Sequence, residues 1–153
     1  MANFRSITYA TDFSPASLAA FPHALRLAAA TKAELTILHV LPNPMLFVDG
    51  GYVPQEIWDD LDARMRVKTG EDMDRLIKQA VAGGVHASAS IVEGGVPAEA
   101  IVKAAADSKT DLLVLGTHGR TGVARFFLGS VAARVVATAP CPVLTVRSAE
   151  APA

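Results

Sequence analysis

The chain has 153 residues, of which 51% are hydrophobic and 19% charged, and its formal net charge is -1. That length suits one domain burying roughly 70% of its unfolded surface, and the composition excludes intrinsic disorder, which needs low hydrophobicity with high charge. Near-neutral charge excludes broad, sequence-independent attraction to nucleic acid or anionic membrane, so any anion must be held by local groups.

The opening "MANFRSITYA" lacks the charged start and long apolar run of a signal peptide, and no segment reaches about 18 consecutive apolar residues. A cytoplasmic protein is expected. "SITYA" (6 to 10) predicts a first strand, followed by "TDFSP", in which Ser14 and Pro15 read as an N-cap with proline at the first helical position. Leu18, Phe21, Leu25 and Ala28 then share a helical face over 15 to 31. Pro22 lies inside that pattern and predicts a kinked or irregular helix. "ELTILHV" (34 to 40) is apolar at nearly every position, which suits a parallel strand covered on both faces.

Residues 41 to 53 contain two prolines and a Gly-Gly pair and read as a long connection, with an apolar knuckle at Met45 to Val48. Helical periodicity runs from Pro54 to about Ala82, with an interruption expected at Gly70. "HASASIVE" (86 to 93) alternates like a half-exposed strand, and "GGVP" opens a helix from Pro97 to about Ser108. "DLLVLG" (111 to 116) is a buried strand. A last helix over 130 to 138 and a last strand "PVLTVR" (142 to 147) complete the pattern. Strands alternating with helices predict an α/β fold with an open parallel sheet and helices on both faces, one domain over 1 to 148 with a frayed tail over 149 to 153. Ligands in such sheets bind beyond the carboxyl ends of the strands.

The segment "GTHGRTGVARFFLGS" (116 to 130) joins the buried strand to the last helix and holds four glycines, two arginines and one histidine. Glycines permit close approach of backbone N–H groups to an anion, and a helix N-terminus adds unpaired donors and a positive dipole end. Such a loop has the chemistry of a phosphate cradle. Arg120 and Arg125 lie where guanidinium groups could meet phosphate oxygens. His118 has no evident nucleophile beside it, and His23, His39 and His86 lack metal-ligand spacing. The lone Cys141 excludes an intrachain disulfide and reads as a small packed residue between two prolines.

The order G-x-x-G, nine residues, then G-S resembles the nucleotide-binding motif of the universal stress protein family. The likeness extends through "YATDFSPAS", "ILHV", "EGGVPAEAIVKAA" and the nearly forty residues from "TDLLVLG" to "PVLTVR". The resemblance implies a five-stranded Rossmann-like sheet of order 3-2-1-4-5, binding of ATP or AMP, and a homodimer, here through Pro142 to Arg147. It implies phosphate and ribose contacts from Gly116, His118, Gly119, Arg120, Gly129, Ser130 and the Val131 amide. It further implies a ribose-binding or magnesium-linked acid at Asp12 beside Ala10 and Thr11, an adenine-reading backbone at Val40 and an apolar wall at Leu115. Ala132 stands where some members carry a hydroxyl residue, which removes one phosphate contact.

Other nucleotide folds fail on their motifs. A dinucleotide enzyme requires G-x-G-x-x-G after the first strand, where "TDFSPAS" stands, and a P-loop enzyme requires G-x-x-x-x-G-K-[ST]. Two classes remain: a nucleotide-binding stress or signalling protein, with slow ATP cleavage at most, and an interaction scaffold of the same fold that binds no nucleotide.

Overall fold

The computed structural model describes residues 3–43, 50–118 and 128–148. Its elements follow the order β1 (Ser6–Ala10), α1 (Pro15–Leu18), α2 (Phe21–Thr31), β2 (Glu34–Leu41), α3 (Gln55–Ala82), β3 (Ala87–Glu93), α4 (Pro97–Asp107), β4 (Leu112–Gly116), α5 (Ser130–Thr138) and β5 (Val143–Val146). The strands form one parallel sheet in the order β3-β2-β1-β4-β5. The expected topology is therefore the observed one. The apolar knuckle at Met45 to Val48, and Gly119, Arg120, Gly122 and Arg125, lie outside the described residues.

The unbroken apolar run of β4 follows from its two covered faces. Leu112 and Val114 join Ile7, Tyr9, Ile37, Phe21, Met73 and Leu76 in the core under α2 and α3, whereas Leu113 and Leu115 join Leu38, Ile101 and Val135 under α4 and α5. Successive strand residues point to opposite faces, so a strand sandwiched this way holds a polar side chain only where a partner satisfies it, as Thr110 does for Thr8 at 2.7 Å. At the other end of the sheet, the Asp111 carboxylate accepts hydrogen bonds from the Arg5 and Ser6 amides at 2.8 and 3.0 Å, which hold it below the usual carboxylate range and tie β1 to β4.

The expected irregularity at Pro22 is a complete break. Ser14 caps α1 by accepting from the Ser17 amide, α1 stops at Leu18, and the helix restarts at Phe21 with Pro22 in its first turn, where the missing N–H costs nothing. Gly70, in contrast, interrupts nothing: α3 runs through it for 28 residues. Met73, Leu76 and Ala80 in its second half are buried, whereas Ile57 and Val67 in the first half are exposed. A Cβ at Gly70 would meet no atom within 4 Å. Gly70→Ala should therefore raise stability by about 0.5–1 kcal/mol, since only the backbone entropy of glycine is removed. Chemical denaturation would measure it, and a loss of stability would mean that the glycine has a packing role.

Candidate functional site

A cavity of about 310 Å³ opens beyond the carboxyl ends of β1, β2 and β4, where the strand order turns back on either side of β1. Its lining includes ten of the residues singled out in the sequence: Ala10, Thr11, Asp12, Val40, Leu115, Gly116, His118, Gly129, Ser130 and Val131. Gly119 and Arg120 fall outside the described residues. Ser17, Leu38, His39, Pro42, Pro97, Ile101, Thr117 and Ala132 complete the wall.

One side of the cavity is a parting of two strands. The Thr11 amide donates to the Leu38 carbonyl at 2.9 Å, and β1 then turns away. Backbone groups alternate sides along a strand, so Val40 directs its N–H and C=O the same way as Leu38, toward the place that β1 has left. Val40 thus presents a donor and an acceptor at the cavity wall. Leu38, Leu115 and Ile101 supply apolar surface around it.

The opposite side is the N-terminus of α5. The Gly129 amide donates to the Thr117 carbonyl at 2.7 Å, and the first bond of the helix runs from the Ala133 amide to the Gly129 carbonyl. The amides of Ser130, Val131 and Ala132 consequently have no acceptor within the helix. All three residues line the cavity, so it contains a cluster of donors at the positive end of a helix dipole. The Ser130 hydroxyl stands beside them. Ala132 adds only its amide.

The two glycines at this edge have a reason that the sequence reading did not assign. A Cβ on Gly116 would lie 2.8 Å from the Ala16 carbonyl oxygen, and one on Gly129 would lie 2.9 Å from the Thr117 carbonyl oxygen. Neither glycine has a positive φ. Glycine is needed at both positions because backbone packs on backbone, which brings the helix end against the strand end.

Asp12 is first of all a turn former. Its Oδ1 accepts from the Ser14 amide at 3.0 Å and from the Ser14 hydroxyl at 2.6 Å, and Phe13 between them adopts φ 61°. Beneath it lies a chain of buried hydroxyls that sequence reasoning missed. Ser17 donates to the Thr11 hydroxyl at 2.7 Å, the Asp12 amide donates to Ser17 Oγ at 3.3 Å, and the Tyr9 hydroxyl donates to the Ser17 carbonyl at 2.9 Å. The signal for Ser17 was its position three residues after the Ser14 cap, which returns it over the end of β1. His39, 2% exposed, donates from Nδ1 to the Thr11 carbonyl at 2.8 Å and stacks at 4.7 Å against Phe13. A carbonyl only accepts, so the proton sits on Nδ1.

His118 Nδ1 lies 2.9 Å from the Thr117 hydroxyl at the start of the loop. The Ser14 hydroxyl bonded to Asp12 belongs to the turn that caps α1, where it also accepts from the Ser17 amide. Burial pushes the Cys141 thiol up, so it remains protonated, and it packs against the α4–α5 core. Among the described residues no group of three or more His, Cys, Asp or Glu side chains could hold a metal ion, and no helix is long and apolar enough to cross a membrane.

Comparison with known proteins agrees with this geometry. The family model described as the universal stress protein family matches residues 3–147. A universal stress protein of Methanocaldococcus jannaschii, MJ0531, is 36% identical over 145 residues, covering 94% of this chain and 82% of the relative. Among solved structures, MJ0577 superposes with a TM-score of 0.82 at 28% identity, covering 97% of this chain and 99% of the other. A universal stress protein crystallised in complex with cAMP superposes with a TM-score of 0.69 at 27% identity over 97% of this chain and all of its own length (100%). With a sheet of order 3-2-1-4-5, a cavity at its carboxyl edge and a match across nearly its whole length, the chain belongs to the universal stress protein family.

Proposed function

We propose that the protein binds an adenine nucleotide, ATP or AMP, in the cavity at the carboxyl edge of its sheet, and acts in the cytoplasm through the conformation and contacts of the liganded state. The observation that carries this reading is the pairing of opposite cavity walls: a backbone donor and acceptor at Val40 facing the three amides of the α5 N-terminus. The first suits the hydrogen-bonding edge of a base, the second suits phosphate. Leu115 and Ile101 offer apolar surface to the base, and Thr11, Asp12 and Ser130 offer polar groups to the sugar and phosphates. The cAMP complex of a relative supports a nucleotide as the ligand class. Gly119 and Arg120 are proposed as further phosphate contacts on the motif alone.

Magnesium fits this reading only as an ion carried by the nucleotide. Mg²⁺ is commonly held by one or two carboxylates together with substrate phosphates, and among the described residues Asp12 is the carboxylate at the cavity. Any ATP cleavage is proposed to be slow, since the chain lacks the G-x-x-x-x-G-K-[ST] loop whose lysine and hydroxyl serve fast phosphoryl transfer.

The site is best tested at Ser130, since a side chain at Gly116 or Gly129 would disturb the fold itself. An aspartate at the first position of α5 suits the helix dipole, so Ser130→Asp should leave the unliganded melting temperature unchanged or raised. It also puts a negative charge where phosphate sits. For the parent protein, ATP at a hundredfold excess over Kd should stabilise the fold by about 2.7 kcal/mol, seen as a thermal shift that Ser130→Asp abolishes. Ser130→Ala should lose roughly 0.5–1.5 kcal/mol of binding. No thermal shift with millimolar ATP or AMP in the parent protein would favour a scaffold that binds no nucleotide.

A homodimer through β5 forms part of the proposal. Pro142 and Val146 turn their carbonyls toward the Leu113 and Thr117 amides, so Val143 and Thr145 direct their backbone groups to the open edge. Val143→Pro removes one outward donor and spares the ladder to β4. Sedimentation at micromolar concentration should show twice the chain mass for the parent protein and a weakened dimer for the variant. A parent monomer at all concentrations would contradict the assembly.

A further inference from the structure

The sheet has a second edge, and it is longer than the first. β3 covers seven residues and, among the described residues, pairs only with β2. The His86 carbonyl accepts from the Leu35 amide and the Gly94 amide donates to the Leu41 carbonyl, which fixes the alternation: residues 86, 88, 90, 92 and 94 turn their backbone groups to β2. Ala87, Ala89, Ile91 and Glu93 turn theirs outward. Of these, Ala89, Ile91 and Glu93 are exposed, with Ile91 at 45%. Natural edges of this length are usually blunted by proline, lysine or an inward charge. β3 has none of them before Glu93, which closes the strand and is paired with Arg66.

Beside this edge, on the α4 face, runs a groove of about 580 Å³. Val92, Val96, Ala100 and Ala104 contribute apolar surface to it, and Val96 is 48% exposed. The charges around it are paired: Lys103 with Asp107 at 2.6 Å, Glu99 with Arg134 at 2.8 Å, and Glu93 with Arg66 on the other face. A strand added to β3 would place every second side chain into this groove. The geometry points to β3 as a site of strand addition for an extended segment of another protein, one with large uncharged apolar side chains at alternate positions.

Two features select that occupant. Main-chain hydrogen bonds to an open edge give affinity, and pockets for alternate side chains give specificity; β3 and the α4 groove supply one each. A second copy of β3 with the same face toward the groove would offer it Ser88, Ser90 and Val92, two of them hydroxyls set against the apolar Val92, Val96, Ala100 and Ala104. The paired rim charges leave no unbalanced charge for a charged side chain to meet. The site lies across three strands from β5, so it is open in a dimer formed through β5.

The test uses a synthetic probe, acetyl-Lys-Thr-Leu-Thr-Leu-Thr-Lys-amide, and two versions of it methylated at the backbone nitrogens of either the leucines or the threonines. With the parent peptide, amide exchange at Ala89 and Ile91 should slow by about tenfold or more, while Ser88 and Ser90, already paired to β2, should change little. One methylated version should lose binding and the other keep it, because only alternate N–H groups face β3. Ile91→Pro should abolish binding without unfolding the sheet, since the Ile91 N–H is not used by β2, and Ile91→Val should retain it. The proposal is overturned if the parent peptide leaves the β3 amides unchanged, or if both methylated versions bind or neither does. Protection of Ala89 and Ile91 that rises with protein concentration alone would assign the edge to a second copy and overturn it as well.

Discussion

At the carboxyl end of β4 two stretches of backbone pass too close together for any side chain. Gly116 lies against the Ala16 carbonyl and Gly129 against the Thr117 carbonyl, each within 3 Å of where a Cβ would stand. The bond from the Gly129 amide to Thr117 closes the loop between them. These contacts draw the start of α5 onto the sheet edge, and with it three amides that the helix cannot satisfy. Without them the helix end would stand off from β1 and β2, and the cavity would lose one of its two polar walls.

The other wall depends on where β1 stops. The strand gives its last bond to β2 at Leu38 and leaves for the Asp12 turn, which a chain of hydroxyls from Ser14 to Thr11 holds in place. The Tyr9 hydroxyl braces Ser17 from the opposite core. Burial of these hydroxyls is tolerable because each has a partner, and a buried network with all partners present is rigid. The rigidity matters because Val40 can offer its backbone only while β1 stays out of the way.

Much of this was legible in the sequence, for physical reasons that differ by element. The unbroken run of β4 announced a strand with two covered faces, and Ser14-Pro15 announced the start of α1, because both signals are local. The strand order and most of the cavity lining came from the resemblance in the glycine segment. Gly70 misled because glycine weakens a helix without ending it when the second half, through Met73, Leu76 and Ala80, is anchored in the core. Ser17, Pro97 and Ile101 were missed as cavity residues because their role depends on where separate elements meet, which no local pattern records. The reason for glycine at 116 was hidden in the same way, since Ala16 lies a hundred residues earlier in the chain.

Whether Val40 and the α5 N-terminus are opposite walls of one nucleotide site is decided by titrating AMP into the isotopically labelled protein and following its amide resonances. Val40 and the Ser130 to Ala132 amides should shift together in one saturable process with a common Kd. Saturable binding that leaves either wall unmoved, or no binding at millimolar AMP, would contradict that arrangement.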